Sequence, residues 1–201
     1  MAHIQKTSII CPVCGKKAQK ISPLPDIIYR CDDCGFISTQ ENCVDVSYKD
    51  NFSSPLSNLY PHSFTLCYNH PCYRDVITCP SMESFLQGLK IKDPYLQYVF
   101  MTKYSGMMAK KMGMVLDSWK KEQLLYFEGK AYERESAEYI ELITYAYDSL
   151  YKSNPIFREV VLPRFKDYHI IHSIGCDNKS ETVLTEMEFR YQLNRLISKL
   201  D

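Results

Sequence analysis

The sequence predicts an α+β protein in which a mainly helical domain follows a small β-type segment at the amino terminus. Three observations support this fold class. Two closely spaced cysteine pairs lie within the first 40 residues, the apolar residues follow a helical period after Pro80, and 201 residues suffice for one medium domain plus a small one. The hydrophobic fraction of 45% is ordinary for a globular chain, so a real core is expected.

The amino-terminal cysteines have the spacing of a structural zinc site. Cys-Pro-Val-Cys-Gly occupies residues 11–15, and Cys-Asp-Asp-Cys-Gly occupies residues 31–35. Each pair encloses two residues, which brings two sulfurs to one side of a tight turn, and two such turns complete a tetrahedron. A redox pair is less well supported, because a thioredoxin-like site has one such motif beside a βαβ pattern. We therefore predict one structural Zn²⁺ ion, with four ligands: Cys11, Cys14, Cys31 and Cys34.

The predicted zinc ribbon spans residues 1–40, and residues 41–51 are expected to form a short strand or a linker. A segment as short as the ribbon cannot bury enough apolar surface alone, so metal binding is expected to provide much of its folding free energy. Gly15 and Gly35 follow the two cysteine pairs. Glycine suits these positions because the backbone there can adopt a positive φ.

The charge distribution argues against a dedicated nucleic-acid binder. Formal net charge is zero; residues 1–40 carry five basic and three acidic residues, and the remainder carries 19 and 21. Such binders usually have a clearly basic domain, so nucleic acid is expected to bind weakly, locally or transiently. No apolar run is long enough to span a membrane, and no signal pattern opens the chain. With nine cysteines, an odd number, the chain is expected to be soluble and cytoplasmic, with no membrane partner.

Helical periodicity dominates the second part of the chain. Ser81 is a suitable N-cap for a helix, and Thr185 forms a predicted capping box with Glu188 at the start of the last one. Gly129 is expected to end a short helix around Trp119 that runs to Phe127. The predicted elements are irregular strands over residues 52–80, helices at 81–92, at 95–113 with a break near Gly106, at 133–153 and from 185, and a strand at 168–174.

Glu83, Gln87 and Lys90 lie at positions i, i+4 and i+7 of the predicted helix over residues 81–92. That spacing places a carboxylate, an amide and an amine on one helix face. Two interpretations follow from the spacing alone. The three groups can serve a shared site, or Glu83 is a first-turn acid favoured by the helix dipole and Lys90 is a solvated amine near the helix end.

Four segments together resemble a known family. They read Pro-Leu-Ser-Asn-Leu-Tyr at 55–60, Ser-Met-Glu-Ser-Phe-Leu-Gln-Gly-Leu-Lys at 81–90, His-Ser-Ile-Gly at 172–175 and Thr-Val-Leu-Thr-Glu-Met-Glu-Phe at 182–189. In this order they resemble the NADAR (YbiA-like) family, over residues 52–201. The resemblance implies a mainly helical α+β fold and an N-glycosidase activity.

The resemblance implies two substrate classes, which are phosphoribosyl-type intermediates of riboflavin synthesis and ADP-ribose attached to guanine bases in nucleic acid. The sequence departs from the family pattern at Ser84, where the family has a histidine. A second departure is His172-Ser173-Ile174-Gly175, which replaces the acidic Trp-Gly segment of many members. Both departures bear on which substrate is used.

The resemblance favours a catalytic role for Glu83 and Lys90, and His172 is a third catalytic candidate because it precedes Gly175 at a predicted strand end, a common place for ligand contacts. A carboxylate at Glu83 would stabilise an oxocarbenium-like ribose or activate water. Lys90 would act either as a nucleophile, if burial lowers its pKa, or as a phosphate ligand. His172 is either a general acid or a core histidine.

The remaining predicted site residues are substrate contacts: Ser57, Asn58, Tyr60, Gln87, Trp119, Ser173 and Gly175. The segment containing Ser57, Asn58 and Tyr60 offers amide and hydroxyl groups to ribose or a base edge, or forms an Asx-type turn. Trp119 would stack on a base, or fill the core.

The expected function is that of an N-glycosidase, an ADP-ribosyl hydrolase that most favours ADP-ribosylated guanine in nucleic acid. Its partners would be an ADP-ribosyl or phosphoribosyl nucleotide and a transient nucleic-acid contact through the zinc ribbon. Two alternatives remain open, which are turnover of riboflavin-synthesis intermediates and non-catalytic binding of ADP-ribose.

Overall fold

The structure is a computed structural model, which describes residues 8–11, 14, 16–20, 29–35, 37–38, 43–46, 55–68, 76–172 and 175–200. The α-helices in these ranges are α1 (Met82–Gly88), α2 (Pro94–Lys103), α3 (Gly106–Gly113), α4 (Ser118–Glu122), α5 (Ala137–Ser153) and α6 (Glu186–Ile197). A π-helical turn at Phe157–Val161 and short 3-10 turns at Leu162–Phe165 and Ser198–Leu200 complete the helical structure described.

The strands confirm a mixed α and β architecture with antiparallel sheet at the amino terminus. They are β1 (Ser8–Ile10), β2 (Lys17–Lys20), β3 (Tyr29–Arg30), β4 (Ile37–Ser38), β5 (Cys43–Asp45), β6 (Phe64–Cys67), β7 (Val76–Cys79), β8 (Leu124–Phe127), β9 (Lys130–Glu133) and β10 (His169–Ile171). Strands β1 to β4 form one antiparallel sheet in sequence order. Hairpins β6–β7 and β8–β9 are also antiparallel.

A parallel pair of strands joins the amino-terminal sheet to the rest of the chain. Strand β5 pairs with β10, so that Val44 lies opposite Ile170. Both side chains are buried, and they belong to one core cluster with Cys11 and Cys31 of the cysteine-rich segment. The amino-terminal segment and the helical part therefore share a continuous core.

The helical predictions are largely confirmed, except that the helix predicted over residues 81–92 ends at Gly88 and the one predicted over residues 133–153 begins at Ala137. Helices α2 and α3 are separated at Tyr104 and Ser105, as the predicted break near Gly106 requires. Helix α5 buries Ile143, Tyr147 and Leu150. Ser81 and Thr185 cap α1 and α6, and the capping box of Thr185 with Glu188 is present.

The predicted helix from Trp119 to Phe127 is wrong beyond Glu122. Gln123 adopts a left-handed conformation with φ 53°, which ends α4. The chain then forms the β8–β9 hairpin, whose turn contains Gly129 at φ 80°. The Leu-Leu-Tyr-Phe run is therefore a strand, and Gly129 serves the hairpin turn instead of ending a helix.

Among the residues that the structure describes, no helix combines the length and apolar character needed to cross a membrane.

A buried ion pair fixes α6 to the end of β9. Arg134 donates to both carboxylate oxygens of Glu188 at 3.0 and 2.6 Å, and its side chain is fully buried. It also donates to the Thr182 carbonyl at 2.8 Å and lies 5.0 Å from the Tyr139 ring. Burial opposes ionisation of Glu188, but the Arg134 hydrogen bonds and the Thr185 backbone N–H outweigh it and lower the Glu188 pKa.

We predict that Glu188→Ala lowers the free energy of unfolding by about 3–5 kcal/mol, because the substitution leaves a buried guanidinium without its counter-ion. Urea denaturation at pH 7 measures the loss. The matched control is Glu159→Ala, which removes an exposed partner of Arg158 and should cost about 0.5 kcal/mol or less. Equal losses in the two variants would contradict the structural role of the buried pair.

Candidate functional site

The cavity that contains most of the predicted site residues has a volume of about 230 Å³. Its walls come from the turn at residues 57–59, from α1 and α3, and from the segment between β10 and α6. The lining residues are Ser57, Asn58, Leu59, Glu83, Gln87, Lys110, His172, Gly175, Cys176, Thr182, Val183, Leu184, Thr185, Glu186 and Phe189. Pockets that hold a whole drug-sized ligand usually exceed about 300 Å³, so this cavity suits one ring or sugar unit of a larger ligand.

The turn at residues 57–59 is held against two helices. Asn58 accepts a hydrogen bond from the Tyr147 hydroxyl at 2.8 Å, and its carbonyl accepts one from the Glu83 backbone N–H at 2.9 Å. The Ser57 hydroxyl accepts from the Leu59 backbone N–H at 3.2 Å, so the local turn is made by this serine, whereas the Asn58 side chain bonds Tyr147. Ser57 and Asn58 line the cavity as well, whereas Tyr60 lies away from its lining and packs 4.5 Å from the His62 ring.

Glu83 contributes a buried carboxyl group to the lining of this cavity. It occupies the first turn of α1 and is 9% exposed. Burial raises its pKa, and a hydrogen bond from the Gln87 amide at 2.9 Å opposes that rise together with the charges of Lys110 and Lys90. A carboxyl group with a raised pKa that lines a cavity is a candidate for proton transfer.

Gln87 adjoins Glu83 on the same helix face, as the i, i+4 spacing predicts. Its amide nitrogen donates to Glu83, whereas its carbonyl oxygen is buried without a hydrogen-bond partner in the described residues. Gly113 of α3 packs directly on this amide, and a Cβ there would overlap it. Gln87 is therefore held in place, with its carbonyl oxygen against Gly113 and its amide nitrogen on Glu83.

Lys90 is not brought into the cavity. Its ammonium group donates to the Gly113 carbonyl at 2.9 Å and lies 6.0 Å from the centre of the Trp119 ring. Burial lowers the Lys90 pKa, and the charges of Asp117 and Glu83 partly oppose that shift. Trp119 is buried and is also absent from the cavity lining, so the core interpretation fits its position better than base stacking.

His172 and Gly175 form the wall opposite α1. His172 directly follows β10, is half-buried and lies 5.3 Å from the Phe189 ring. The Gly175 backbone N–H donates to the His172 carbonyl at 2.8 Å, and a Cβ at Gly175 would lie 2.7 Å from His172 Nδ1. The predicted contact Ser173 lies outside the described residues.

Lys110 and Glu186 line the cavity although the sequence did not single them out. Lys110 is an exposed residue of α3, and the sequence pattern gives no sign that α3 packs beside α1. Glu186 opens α6 and is bound to Arg190 at 3.1 Å, which is an ordinary helical pair in the sequence. Only tertiary packing brings these charges to the site.

The four predicted cysteine ligands form a cluster that can hold a metal ion such as zinc. All four sulfur atoms lie within 4.8 Å of one another, and the Cys11–Cys34 and Cys14–Cys31 sulfur pairs are 3.5 Å apart. A tetrahedral ion with bonds of about 2.3 Å requires sulfur separations of about 3.8 Å, so the cluster fits. Gly35 takes the expected positive φ of 70°, and its N–H donates to the Cys31 carbonyl at 2.8 Å. Gly15 lies outside the described residues.

Comparison with known proteins corrects the family resemblance. Residues 51–198 match the family described as Bacteriophage protein GP30.3. The chain is similar to an Enterobacteria phage T4 protein, "Uncharacterized 17.1 kDa protein in Gp30-rIII intergenic region", with 33% identity over 131 residues, which are 65% of this chain and 85% of the relative. No solved structure matches the chain.

The resemblance to the NADAR (YbiA-like) family is therefore wrong, because a different family matches the same part of the chain. The short segments that suggested it have local structural explanations. Ser57 serves a turn, and Thr185 and Glu188 serve a capping box, and such local motifs recur in unrelated folds. The chain belongs to the family described as Bacteriophage protein GP30.3.

Proposed function

We propose that this protein is an N-glycosidase that hydrolyses the bond between a ribose and a base. The observation that carries the proposal is Glu83, a buried carboxyl group with a raised pKa that lines a cavity suited to one sugar ring. Cleavage of an N-glycosidic bond develops positive charge on the ribose, and a carboxylate beside the anomeric carbon stabilises that charge or activates water.

The proposed reaction transfers one water molecule across the glycosidic bond. Glu83 removes a proton from water as the oxygen bonds to the anomeric carbon. The bond from that carbon to the base nitrogen breaks, and His172, in its protonated form, returns a proton to the leaving base. Gln87 orients the Glu83 carboxyl group through its 2.9 Å hydrogen bond. Lys90 has no direct role in this scheme because its ammonium group is bound to the Gly113 carbonyl.

The proposed substrate is ADP-ribose attached to guanine in nucleic acid. A cavity of about 230 Å³ accepts the ribose that bears the base, and the rest of the ligand would lie across the rim. Lys110 at the rim would then approach a phosphate. A phosphoribosyl intermediate of riboflavin synthesis would satisfy the same sugar and phosphate contacts and is the alternative substrate.

The metal in this proposal is one structural zinc ion, bound by the four cysteines. Thiolate ligands in a closed tetrahedral set are typical of structural zinc, and the ion would supply folding free energy rather than chemistry. The ribbon would add a transient contact to nucleic acid. A cytoplasmic location follows from the reduced thiolates that such a site requires.

A non-catalytic nucleotide-binding function is the second candidate. It is favoured by the engagement of Glu83 with Gln87 and by the position of Lys90 away from the cavity. In that case the cavity would hold ADP-ribose without cleaving any bond.

The test is incubation with a single-stranded oligonucleotide that carries ADP-ribosylated guanine, followed by chromatography of the products. The proposal predicts release of ADP-ribose and regeneration of unmodified guanine. A phosphoribosyl intermediate of riboflavin synthesis is assayed in parallel to separate the two substrate classes. Tight calorimetric binding of ADP-ribose without turnover of either substrate would replace the enzyme proposal with the binding function.

A further inference from the structure

The charged residues of the helical part are segregated along the chain. Residues 90–121 contain seven lysines and two aspartates, whereas residues 122–159 contain eight acidic and four basic residues. The overall neutrality of the chain therefore conceals a basic region that contains α3 and α4. A basic face beside a binding site attracts anionic ligands even when the whole protein is neutral.

This basic region adjoins the cavity on two sides. Lys110 of α3 is part of its lining. Lys120 of α4 bonds Glu181 at 3.0 Å, and Glu181 directly precedes Thr182, which lines the opposite side. Lys111 and Lys121 follow these two lysines and are exposed. Lys110 therefore supplies an amine at the cavity itself, the Lys120 amine is paired with Glu181 and Asp117, and the exposed Lys111 and Lys121 extend the basic region beyond the cavity.

The same region exposes apolar side chains. Met112, Met114 and Val115 are 42%, 64% and 78% exposed. Lysines that only contact solvent do not explain the exposed methionines beside them. A strand of nucleic acid presents phosphates, which attract lysines, and apolar base faces, which can contact methionines. Charge complementarity and apolar contact therefore favour the same occupant.

We propose that the surface formed by Lys110, Lys111, Met112, Met114, Lys120 and Lys121, the α3–α4 face, binds the backbone of a single-stranded nucleic acid that carries the target nucleotide. The strand must be unpaired at the target because a base inside a duplex cannot enter a concave site. This inference rests on the proposed function and names a surface outside the zinc ribbon as the main contact to the polymer.

The test measures the affinity of a labelled single-stranded oligonucleotide by fluorescence anisotropy at several salt concentrations. The variant is Lys111→Glu with Lys121→Glu, which changes two exposed lysines outside the cavity lining. The control is Lys130→Glu with Lys152→Glu, which makes the same change of charge in the acidic region. Thermal unfolding of both double variants verifies that the fold is retained.

We expect the α3–α4 variant to raise the dissociation constant at least tenfold and to reduce the salt slope by about 1.4, since each phosphate contact to a single strand contributes about 0.7. The control should stay within about twofold of the unsubstituted protein. Equal weakening in both variants, or no salt-dependent binding by the unsubstituted protein, would overturn the inference.

A second substrate separates this inference from the proposed function. Turnover of a free ADP-ribosylated guanine nucleotide should be unchanged in the Lys111→Glu, Lys121→Glu variant, because neither residue lines the cavity. If the double variant loses affinity for the oligonucleotide and the unsubstituted protein has no glycosidase activity, the α3–α4 face is supported and the proposed reaction is rejected.

Discussion

We expect removal of the zinc ion proposed for the cysteine cluster to unfold the amino-terminal sheet and to disturb the His172 wall of the cavity. The sheet formed by β1 to β4 is too small to be stable on its hydrophobic core alone. Structural zinc contributes about 10–16 kcal/mol in small zinc-binding peptides, which is as large as the whole stability of many domains. Loss of the ion should therefore have the largest effect of any single change.

The disturbance should reach the cavity through β5 and β10. Cys11 and Cys31 share a buried cluster with Val44 of β5 and Ile170 of β10. His172 directly follows β10 and lines the cavity. Weakening of the shared core should consequently increase the backbone mobility of residues 169–172.

Metal analysis, thermal unfolding and hydrogen exchange measure this effect. We expect about one zinc ion per chain in the purified protein, and a lower melting temperature with faster exchange at residues 169–172 after chelation or in Cys31→Ser. The matched control is Cys67→Ser, which changes an exposed cysteine outside the cluster. Unchanged exchange in β10 after complete metal removal would show that the cluster does not support the cavity.

We expect Glu83→Gln to slow the proposed N-glycosidic cleavage strongly while it preserves the fold. The substitution keeps the shape and a hydrogen bond with Gln87 but removes the group that accepts a proton or stabilises the ribose cation. We expect the rate to fall by at least about 100-fold, as for the loss of a positioned general base. Glu141→Gln, an exposed change on α5, should leave the rate unaltered. A variant at Glu83 that retains the full rate would remove this carboxyl group from the mechanism.

Glu83→Gln should also be more stable than the unsubstituted protein at neutral and alkaline pH. Burial raises the pKa of Glu83 in the folded state above its usual value. The stability associated with the protonated group is therefore complete below the unfolded pKa and is lost as the pH rises through the folded pKa. Glutamine does not titrate, so the gain in the free energy of unfolding should grow as the pH rises from the unfolded to the folded pKa of Glu83.

Features that depend on local sequence were predictable. The cysteine cluster follows from two short turns, and the capping box of α6 follows from Thr185 and Glu188 three residues apart. The contact between Glu83 and Gln87 follows from helix geometry alone. The physical cause lies within a few residues of the chain for each cysteine turn, for the capping box and for the contact between Glu83 and Gln87, and the two cysteine turns meet because four thiolates suit one metal ion.

Features that depend on tertiary packing were not predictable in the same way. Helix α1 ends at Gly88, so Lys90 lies beyond the helix and outside the face predicted for it, and its ammonium group donates to the Gly113 carbonyl, which the packing of α3 beside α1 provides. The same packing brings Lys110 to the cavity. Gln123 ends α4 in a left-handed conformation just before the β8–β9 hairpin. Glycine usually marks such a position in a sequence, and here the residue is glutamine.

The central claim is that the cavity at Glu83 accepts the ribose of a nucleotide, and a crystal structure of the complex with ADP-ribose tests it most directly. We expect the anomeric carbon to lie within about 3.5 Å of a Glu83 carboxylate oxygen and near His172, with a phosphate towards Lys110. ADP-ribose bound elsewhere, with the cavity closed around the hydrogen bond between Glu83 and Gln87, would contradict it.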